Sequence, residues 1–194
     1  MLSVMEAIRR RRSVRNFKPD PVPKQTIDLM LEAARLAPSG SNRQPWRFQV
    51  VTDASLRERI FLEATFGSRH IQEAPVWIVC GSELLSYVKG NRLAPSSAIL
   101  AADNDDWETL KPFLADAQMN TAIAIEHMVL AATDEGLGTC WIGAFSQDKA
   151  RKALGVPEKY KVVTVLPVGY AAGETAPRSK KPLSEIVCNE KFSE

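Results

Sequence analysis

The stretch 114–135 constrains this chain more than any other. Ala117, Thr121, Ala124, Met128 and Ala131/Ala132 recur at helical spacing along one face, with Ile125 and Val129 beside them, which predicts the longest helix of the molecule. Side chains this small permit close packing of whatever lies against that face. Gly136 follows where a helix end favours a residue that tolerates positive φ, so it is the expected C-terminal cap, and 139–142 then reads as a strand.

Helix and strand patterns alternate through the rest of the chain. Ser3 and Glu6 have the spacing of a capping box ahead of Val4, Ala7 and Ile8, predicting a first helix over 3–12. Pro19, Pro21 and Pro23 then hold an extended connection. Ile27, Met30, Leu31 and Ala34 predict a helix over 24–36, stopped by Pro38 and Gly40. Trp46, Phe48 and Val50 alternate with polar residues as in a half-buried strand, 54–64 reads as helix, and 76–80 as a buried strand. A helix over 146–154, capped by Ser146 and closed by Gly155, precedes a β-branched strand over 161–168. Only 82–112 breaks the rhythm, mixing Gly90, Pro95 and Pro112 with acidic Asp103, Asp105, Asp106 and Glu108 around apolar Leu84, Tyr87, Leu93, Ile99 and Trp107. It is expected to be a variable excursion, either a lid over a substrate or a surface segment. With no repeat or linker in 194 residues that are 45% hydrophobic, residues 1–194 are expected to form one domain.

Composition excludes several function classes. A net charge of +2 and a pI near 8.4 fall short of a nucleic-acid-binding domain, and the basic residues concentrate in 9–12 and in Arg178, Lys180 and Lys181. Charges interrupt every apolar stretch before it could span a membrane, and the opening has no cleavage-site pattern, so the expected compartment is the cytoplasm. Cys80, Cys140 and Cys188 are odd in number and scattered, against a disulfide framework and against a CxxC motif. His70 and His127 alone do not make a clustered metal site, so no metal ligands are assigned, and no Ser/His/Asp triad suggests itself.

Three far-apart stretches nonetheless carry the chemistry of a cofactor site: Arg11-Arg12-Ser13-Val14-Arg15, Pro38-Ser39-Gly40-Ser41-Asn42-Arg43-Gln44-Pro45-Trp46, and Gly136-Leu137-Gly138-Thr139-Cys140-Trp141-Ile142-Gly143. The first supplies guanidinium groups and a hydroxyl suited to a phosphate. The second offers amide side chains that give and accept hydrogen bonds on a ring edge. The third is a glycine-rich backbone that a flat ring can approach. Each also has a plainer reading. Arginines suit a helix C-terminus, and Arg9 and Arg10 are assigned to that role, whereas a dipole has no use for the Ser between Arg12 and Arg15. Pro, Ser, Gly and Asn are ordinary turn residues, and glycines can be only a cap and a bulge. Arg178 and Lys180 fit a solvated tail as well as a phosphate site. Cys140 beside Trp141 and Ile142 reads as an inert thiol, and His127 as a packing or interface residue.

Taken together, these stretches resemble the nitroreductase family of FMN-dependent oxidoreductases. The resemblance runs through RRSVR, PSGSNRQPW, EAPVWIVCG, the long helix into GLGTCWIGAF, and PVGYAAGETAPRSKKPLSEIV, and leaves out only 82–112. It implies an α+β fold with a central, mostly antiparallel sheet flanked by helices, in an intertwined homodimer with shared active sites at its interface. It implies that Arg11, Arg12, Ser13 and Arg15 address the phosphate, ribityl chain and pyrimidine edge of FMN. By the same resemblance Pro38, Ser39, Asn42 and Gln44 reach the flavin of the other subunit, and Cys140, Trp141, Ile142 and Gly143 lie against the ring, one backbone group near N5. Arg178 and Lys180 close on the phosphate.

The expected activity is an oxidoreductase in which bound FMN takes hydride from NADH or NADPH, a transient co-substrate, and passes it by a ping-pong cycle to a small organic acceptor such as a nitroaromatic or a quinone. A cofactor that carries the chemistry accounts for the lack of an assigned catalytic side chain. The absence of GxGxxG fits a nicotinamide that visits rather than resides. The alternatives are a specialised flavoenzyme of the same fold (dehydrogenase, dehalogenase or flavin-consuming), an FMN-binding protein without turnover, and a nucleic-acid-binding module built on the arginines.

Overall fold

The computed structural model describes residues 1–64, 72–91, 94–104 and 106–191, with the backbone only of Trp107; His70, Leu93 and Asp105 lie outside the described residues. Among the described residues eleven helices and strands follow one another: α1 (Val4–Arg10), α2 (Lys24–Arg35), β1 (Trp46–Val51), α3 (Ala54–Ala64), β2 (Val76–Glu83), α4 (Leu84–Lys89), α5 (Ser96–Asp103), α6 (Trp107–Asp134), β3 (Gly138–Thr139), α7 (Gln147–Leu154) and β4 (Tyr160–Gly169), with short 3-10 turns at Gly40–Asn42 and Leu183–Glu185. The four strands form one antiparallel sheet in the order β1-β2-β4-β3. The architecture is α+β, as the resemblance implied.

Why 76–80 reads as an unbroken apolar run is clear from its place: every residue of β2 is buried, Ser82 and Glu83 at its end included. Val76, Ile78 and Cys80 join one core with α2 and α6, while Trp77 and Val79 point to the other face and join a second core with α3 and α7. A strand covered on both faces has no polar side to alternate with. The small face of α6 does what its composition predicts: Ala124, Ile125, Met128, Val129 and Ala132 are buried against α2 and the sheet.

Both expected glycine stops hold. Gly136 sits at φ 75°, with its N–H on the Thr133 carbonyl at 3.2 Å and the Leu137 N–H on the Ala132 carbonyl at 2.8 Å. That is a Schellman ending, and it turns the chain straight into β3. Gly155, at φ 64°, closes α7 through the same pair of bonds, from its own N–H to Lys152 and from Val156 to Arg151. The Ser3–Glu6 capping box is also present, with both reciprocal hydrogen bonds.

Several boundaries differ from the sequence reading. α1 stops at Arg10 rather than at 12, because the backbone at Arg11 turns extended and leads into a bridge with β3. The expected strand over 139–142 is two pieces: β3 covers Gly138–Thr139, and Ile142 makes an isolated bridge to Val165, leaving Cys140 and Trp141 out of the ladder. Ser146 is the N-cap residue of α7, but its side chain makes no capping bond.

The largest difference lies in 82–112. α6 begins at Trp107, well before 114, because Asp106 caps it: the carboxylate accepts from the Thr109 N–H at 3.3 Å and from the Thr109 hydroxyl at 2.7 Å. Pro112 interrupts only one hydrogen bond near that end, so the helix tolerates it. Ahead of it, α4 and α5 pack on the first turns of α6 through Leu84, Tyr87, Val88, Ala98, Ala102 and Leu110, a third apolar cluster. The excursion is therefore mostly helical among its described residues.

Candidate functional site

The RRSVR segment is laced between two other parts of the chain. On one side Ser13 bridges Thr139 of β3, and the Val14 N–H donates to the Thr139 carbonyl at 2.9 Å. This approach needs a glycine at 138, since a Cβ there would lie 2.4 Å from Val14 Cγ2. On the other side Phe17 bridges Ala171, with the Lys18 N–H on the Tyr170 carbonyl at 2.8 Å and the Ala172 N–H on the Asn16 carbonyl at 2.9 Å. The buried side chains of Val14 and Phe17 anchor the lacing in the second core. The first and third sequence motifs and the start of the C-terminal tail are thereby joined by backbone bonds and two apolar anchors.

That joining creates a cleft of about 830 Å³. Arg11, Arg12, Ser13 and Arg15 line it together with Arg178 and Lys180. Arg9, which the sequence reading gave to the helix end alone, is on the wall too, whereas Arg10 pairs with Glu6 at 3.8 Å across an exposed helix turn. Asn16, Glu174 and Thr175 are wall residues that the motif reading missed; only the position of the last two between the final strand and Arg178 could have marked them. Arg12 folds back, donating from Nη1 to the carbonyls of Arg9 at 2.6 Å and Arg11 at 2.9 Å. It thus caps the C-terminus of α1 while its side chain stays at the cleft.

The donor set fits the phosphate end of FMN. Five arginines and one lysine face a single carboxylate, Glu174, so an anion is the partner this cleft favours. Guanidinium forks and the Ser13 hydroxyl supply hydrogen bonds of the charge-assisted kind. Among the described residues no cluster of His, Cys, Asp and Glu could hold a metal ion.

Cys140, Trp141, Ile142 and Gly143 continue from β3 and do not themselves line the cleft. Ile142 is fixed to Val165 by backbone bonds of 3.1 and 3.2 Å, and its N–H also meets the Thr164 hydroxyl at 3.0 Å. Cys140 is buried, and burial pushes its thiol up, against the opposing pull of Arg15 and Arg11. Burial thus disfavours the thiolate at this position. Trp141 is exposed, and a Cβ at Gly143 would meet nothing within 4 Å, so the backbone there is open. Half-buried Glu126 on α6 lies between these groups: burial raises its pKa, while Arg11, a hydrogen bond with Trp141 and His127 pull it down.

Pro38, Ser39, Asn42 and Gln44 do not line the cleft. They form an outward loop after α2 in which Ser41, Asn42 and Gln44 stand at φ 51°, 55° and 48°. Left-handed backbone costs a non-glycine residue about 1–2 kcal/mol, less for Asn. Non-glycine residues held there in sequence are a feature that persists only where surrounding structure imposes it. Ser39 Oγ accepts the Gln44 N–H at 2.9 Å, and the Gly40 N–H reaches Asn120 Oδ1 on α6 at 2.7 Å. Asn120 has no signal in the sequence beyond being a polar residue in a small-residue helix.

Comparison with known proteins agrees with this fold. The family model described as Nitroreductase family matches residues 8–170. A protein of Thermus thermophilus named NADH dehydrogenase is 33% identical, over 96% of this chain and 96% of its own length. A 5,6-dimethylbenzimidazole synthase of Rhodospirillum rubrum is 30% identical, over 91% of this chain and 82% of its own. Among solved structures, a nitroreductase family protein from Clostridium difficile 630 superposes with a TM-score of 0.73 at 27% identity, covering 99% of this chain and 100% of that one.

Proposed function

Because this chain belongs to the nitroreductase family, we propose that it binds FMN in the cleft between Arg11–Arg15 and the 173–180 segment and works as an NAD(P)H-dependent oxidoreductase on a small organic acceptor. The observation that carries this reading is the shared cleft itself, where cations from the two ends of the chain line one volume of about 830 Å³. Bound there, FMN would supply the hydride chemistry at its ring N5, taking hydride from NADH or NADPH and giving it to the acceptor in turn.

The chain's own residues then bind and orient. Arg11, Arg12, Arg178 and Lys180 neutralise the phosphate, and Ser13 donates a hydroxyl hydrogen bond. Arg15 serves the pyrimidine edge, where a fixed positive charge favours added electron density. Gly143 leaves the backbone bare beside Trp141, so an amide can approach the ring without a side chain in the way. Pro38, Ser39, Asn42 and Gln44, being outside the cleft of their own chain, complete the site of a second copy in a homodimer.

The test is direct. The purified protein is expected to be yellow, to bleach when mixed anaerobically with NADH or NADPH, and to regain colour with a nitroaromatic or quinone. A colourless protein that takes up no FMN would sink the proposal. A specialised reaction on the same fold is the second reading, favoured by the 30% identity with a protein named 5,6-dimethylbenzimidazole synthase. Bleaching without reoxidation by any nitro or quinone acceptor would favour it.

A further inference from the structure

The loop 38–44 is braced from outside at three points. Asn120, 4% exposed on α6, accepts the Gly40 N–H at 2.7 Å and is itself oriented by donating Nδ2 to the Asp116 carbonyl at 2.7 Å. Tyr87 of α4 brings its hydroxyl to the same place: a Cβ at Gly40 would lie 3.6 Å from that oxygen and 3.9 Å from Asn120 Oδ1. Arg43 lays its guanidinium against Gly90 at the end of α4, so close that a Cβ there would lie 2.1 Å from Nη1 and 2.5 Å from Cζ. Tyr87 and Gly90 both belong to the 82–112 excursion.

Between these points stand Ser41, Asn42 and Gln44 in left-handed backbone. Inside the loop, the Asn42 N–H meets the Ser39 carbonyl at 2.8 Å, the Arg43 N–H meets the Gly40 carbonyl at 3.1 Å and the Gln44 N–H meets Ser39 Oγ, with weak contacts of Gln44 Nε2 to Asn42 at 3.3 and 3.4 Å, while Gly40 itself is held from α6. A backbone this unfavourable to non-glycine residues holds its shape because its neighbours determine it. The neighbours are Asn120, Tyr87 and the bare Gly90.

We propose that Asn120 and Tyr87 are positioning residues and that α4 is a strut: together they fix loop 38–44 in the form in which Asn42 and Gln44 present their amides to the flavin site of a second copy. The assignment rests on the function proposed above. It gives the excursion a defined part in the site, that of shaping the polar loop from behind, and links any change in α4 to cofactor affinity. Asn120 acts through Gly40 rather than by touching the cofactor. Gly90 is specific for a different reason from most glycines, since it leaves space for Arg43 and not for a backbone turn.

Two variants press on opposite ends of the brace. Asn120→Ala removes the acceptor for the Gly40 N–H, and Gly90→Ala pushes on the Arg43 side chain, whose atoms lie nearest the new Cβ. In each, hydrogen exchange at 40–44, the FMN dissociation constant, the midpoint potential of bound flavin and the melting temperature are measured beside wild type. The expected result is exchange at 40–44 faster by about tenfold, FMN bound about tenfold more weakly and a shifted potential, in both variants. A merely structural asparagine would lower the melting temperature and leave the potential of the flavin that remains bound unchanged, which overturns the proposal. So does unchanged exchange at 40–44, or a wild type that binds FMN while both variants bind it equally well. A wild type that takes up no FMN overturns the proposed function together with the loop's part in it, and is told apart by the wild-type spectrum alone.

Discussion

Single positions decide whether the cleft exists. Gly138→Ala would put a Cβ 2.4 Å from Val14 Cγ2 and 2.7 Å from its Cβ, both on a β-branched side chain with little freedom to move. Overpacking of this kind costs about 1–3 kcal/mol. The expected outcome is a melting temperature lower by several degrees, and, because the displaced segment carries Ser13 and Arg15, weaker FMN binding; calorimetry and a flavin titration check the two. Arg15→Gln removes charge without removing length. If Arg15 faces the pyrimidine edge, the bound flavin becomes harder to reduce by at least about 30 mV, the equivalent of about 1.4 kcal/mol in a two-electron couple. An unchanged potential under spectroelectrochemical titration removes that role. Glu126 gives a pH signature. Its pKa in the fold is raised, chiefly by burial, so the unfolded chain loses the proton first as pH rises and the charged form weighs against folding. Glu126→Gln is therefore expected to be more stable than wild type at neutral pH and to lose that advantage in acid, below the ordinary glutamate range. Melting curves at pH 3 and pH 7 decide it.

At the scale of elements, what was legible in the sequence was whatever local chemistry dictates. The Ser3–Glu6 box, the glycine stops at 136 and 155 and the apolar run of β2 each follow from the residues that form them. The start of α6 did not, because Pro112 reads as a stop while the Asp106 cap that outweighs it is a single residue in an acidic stretch. The short β3 was likewise hidden: the residues of 139–142 suit a strand, but only the lacing of Ser13 and Val14 against Thr139 shows where pairing ends. The cationic half of the site was legible as motifs and its assembly was not, since it depends on Phe17 and Lys18 pairing with residues 170 and 171. The tail that follows, 172–191, contains no buried residue, yet it supplies two cleft cations. Arg178→Ala with Lys180→Ala should therefore leave thermal unfolding of the FMN-free chain unchanged. FMN affinity should fall by about tenfold or more, given roughly 1.5–3 kcal/mol for each hydrogen bond to a charged group. Riboflavin, which lacks the phosphate, is the control: equal losses for both ligands would place the tail's cations away from the phosphate.

The whole molecule leaves two things unfinished in a single chain. Apolar side chains stand in solvent on α1 (Val4, Met5, Ile8), on α6 (Met119, Ile123) and along the tail (Leu183, Ile186, Val187). Pairing with a second copy would cover side chains of this kind. The cleft and the polar loop also lie in different places, the one lined by Arg11, Arg15, Arg178 and their neighbours in the two end segments, the other held by α4 and α6. Both are resolved if two copies pair about a two-fold axis so that each loop 38–44 meets the cleft of the other chain. Mixing then gives a sharp expectation. One variant carries Arg15→Ala with Arg178→Ala, a second carries Asn42→Ala with Gln44→Ala, and each alone is inactive. Co-expressed in equal amount, half the dimers are mixed, and each mixed dimer has one site built from the intact cleft of one chain and the intact loop of the other. Bound FMN and flavin reduction should return to about a quarter of the wild-type level. If each loop served the cleft of its own chain, every site in every dimer would carry a defect, and co-expression would restore nothing.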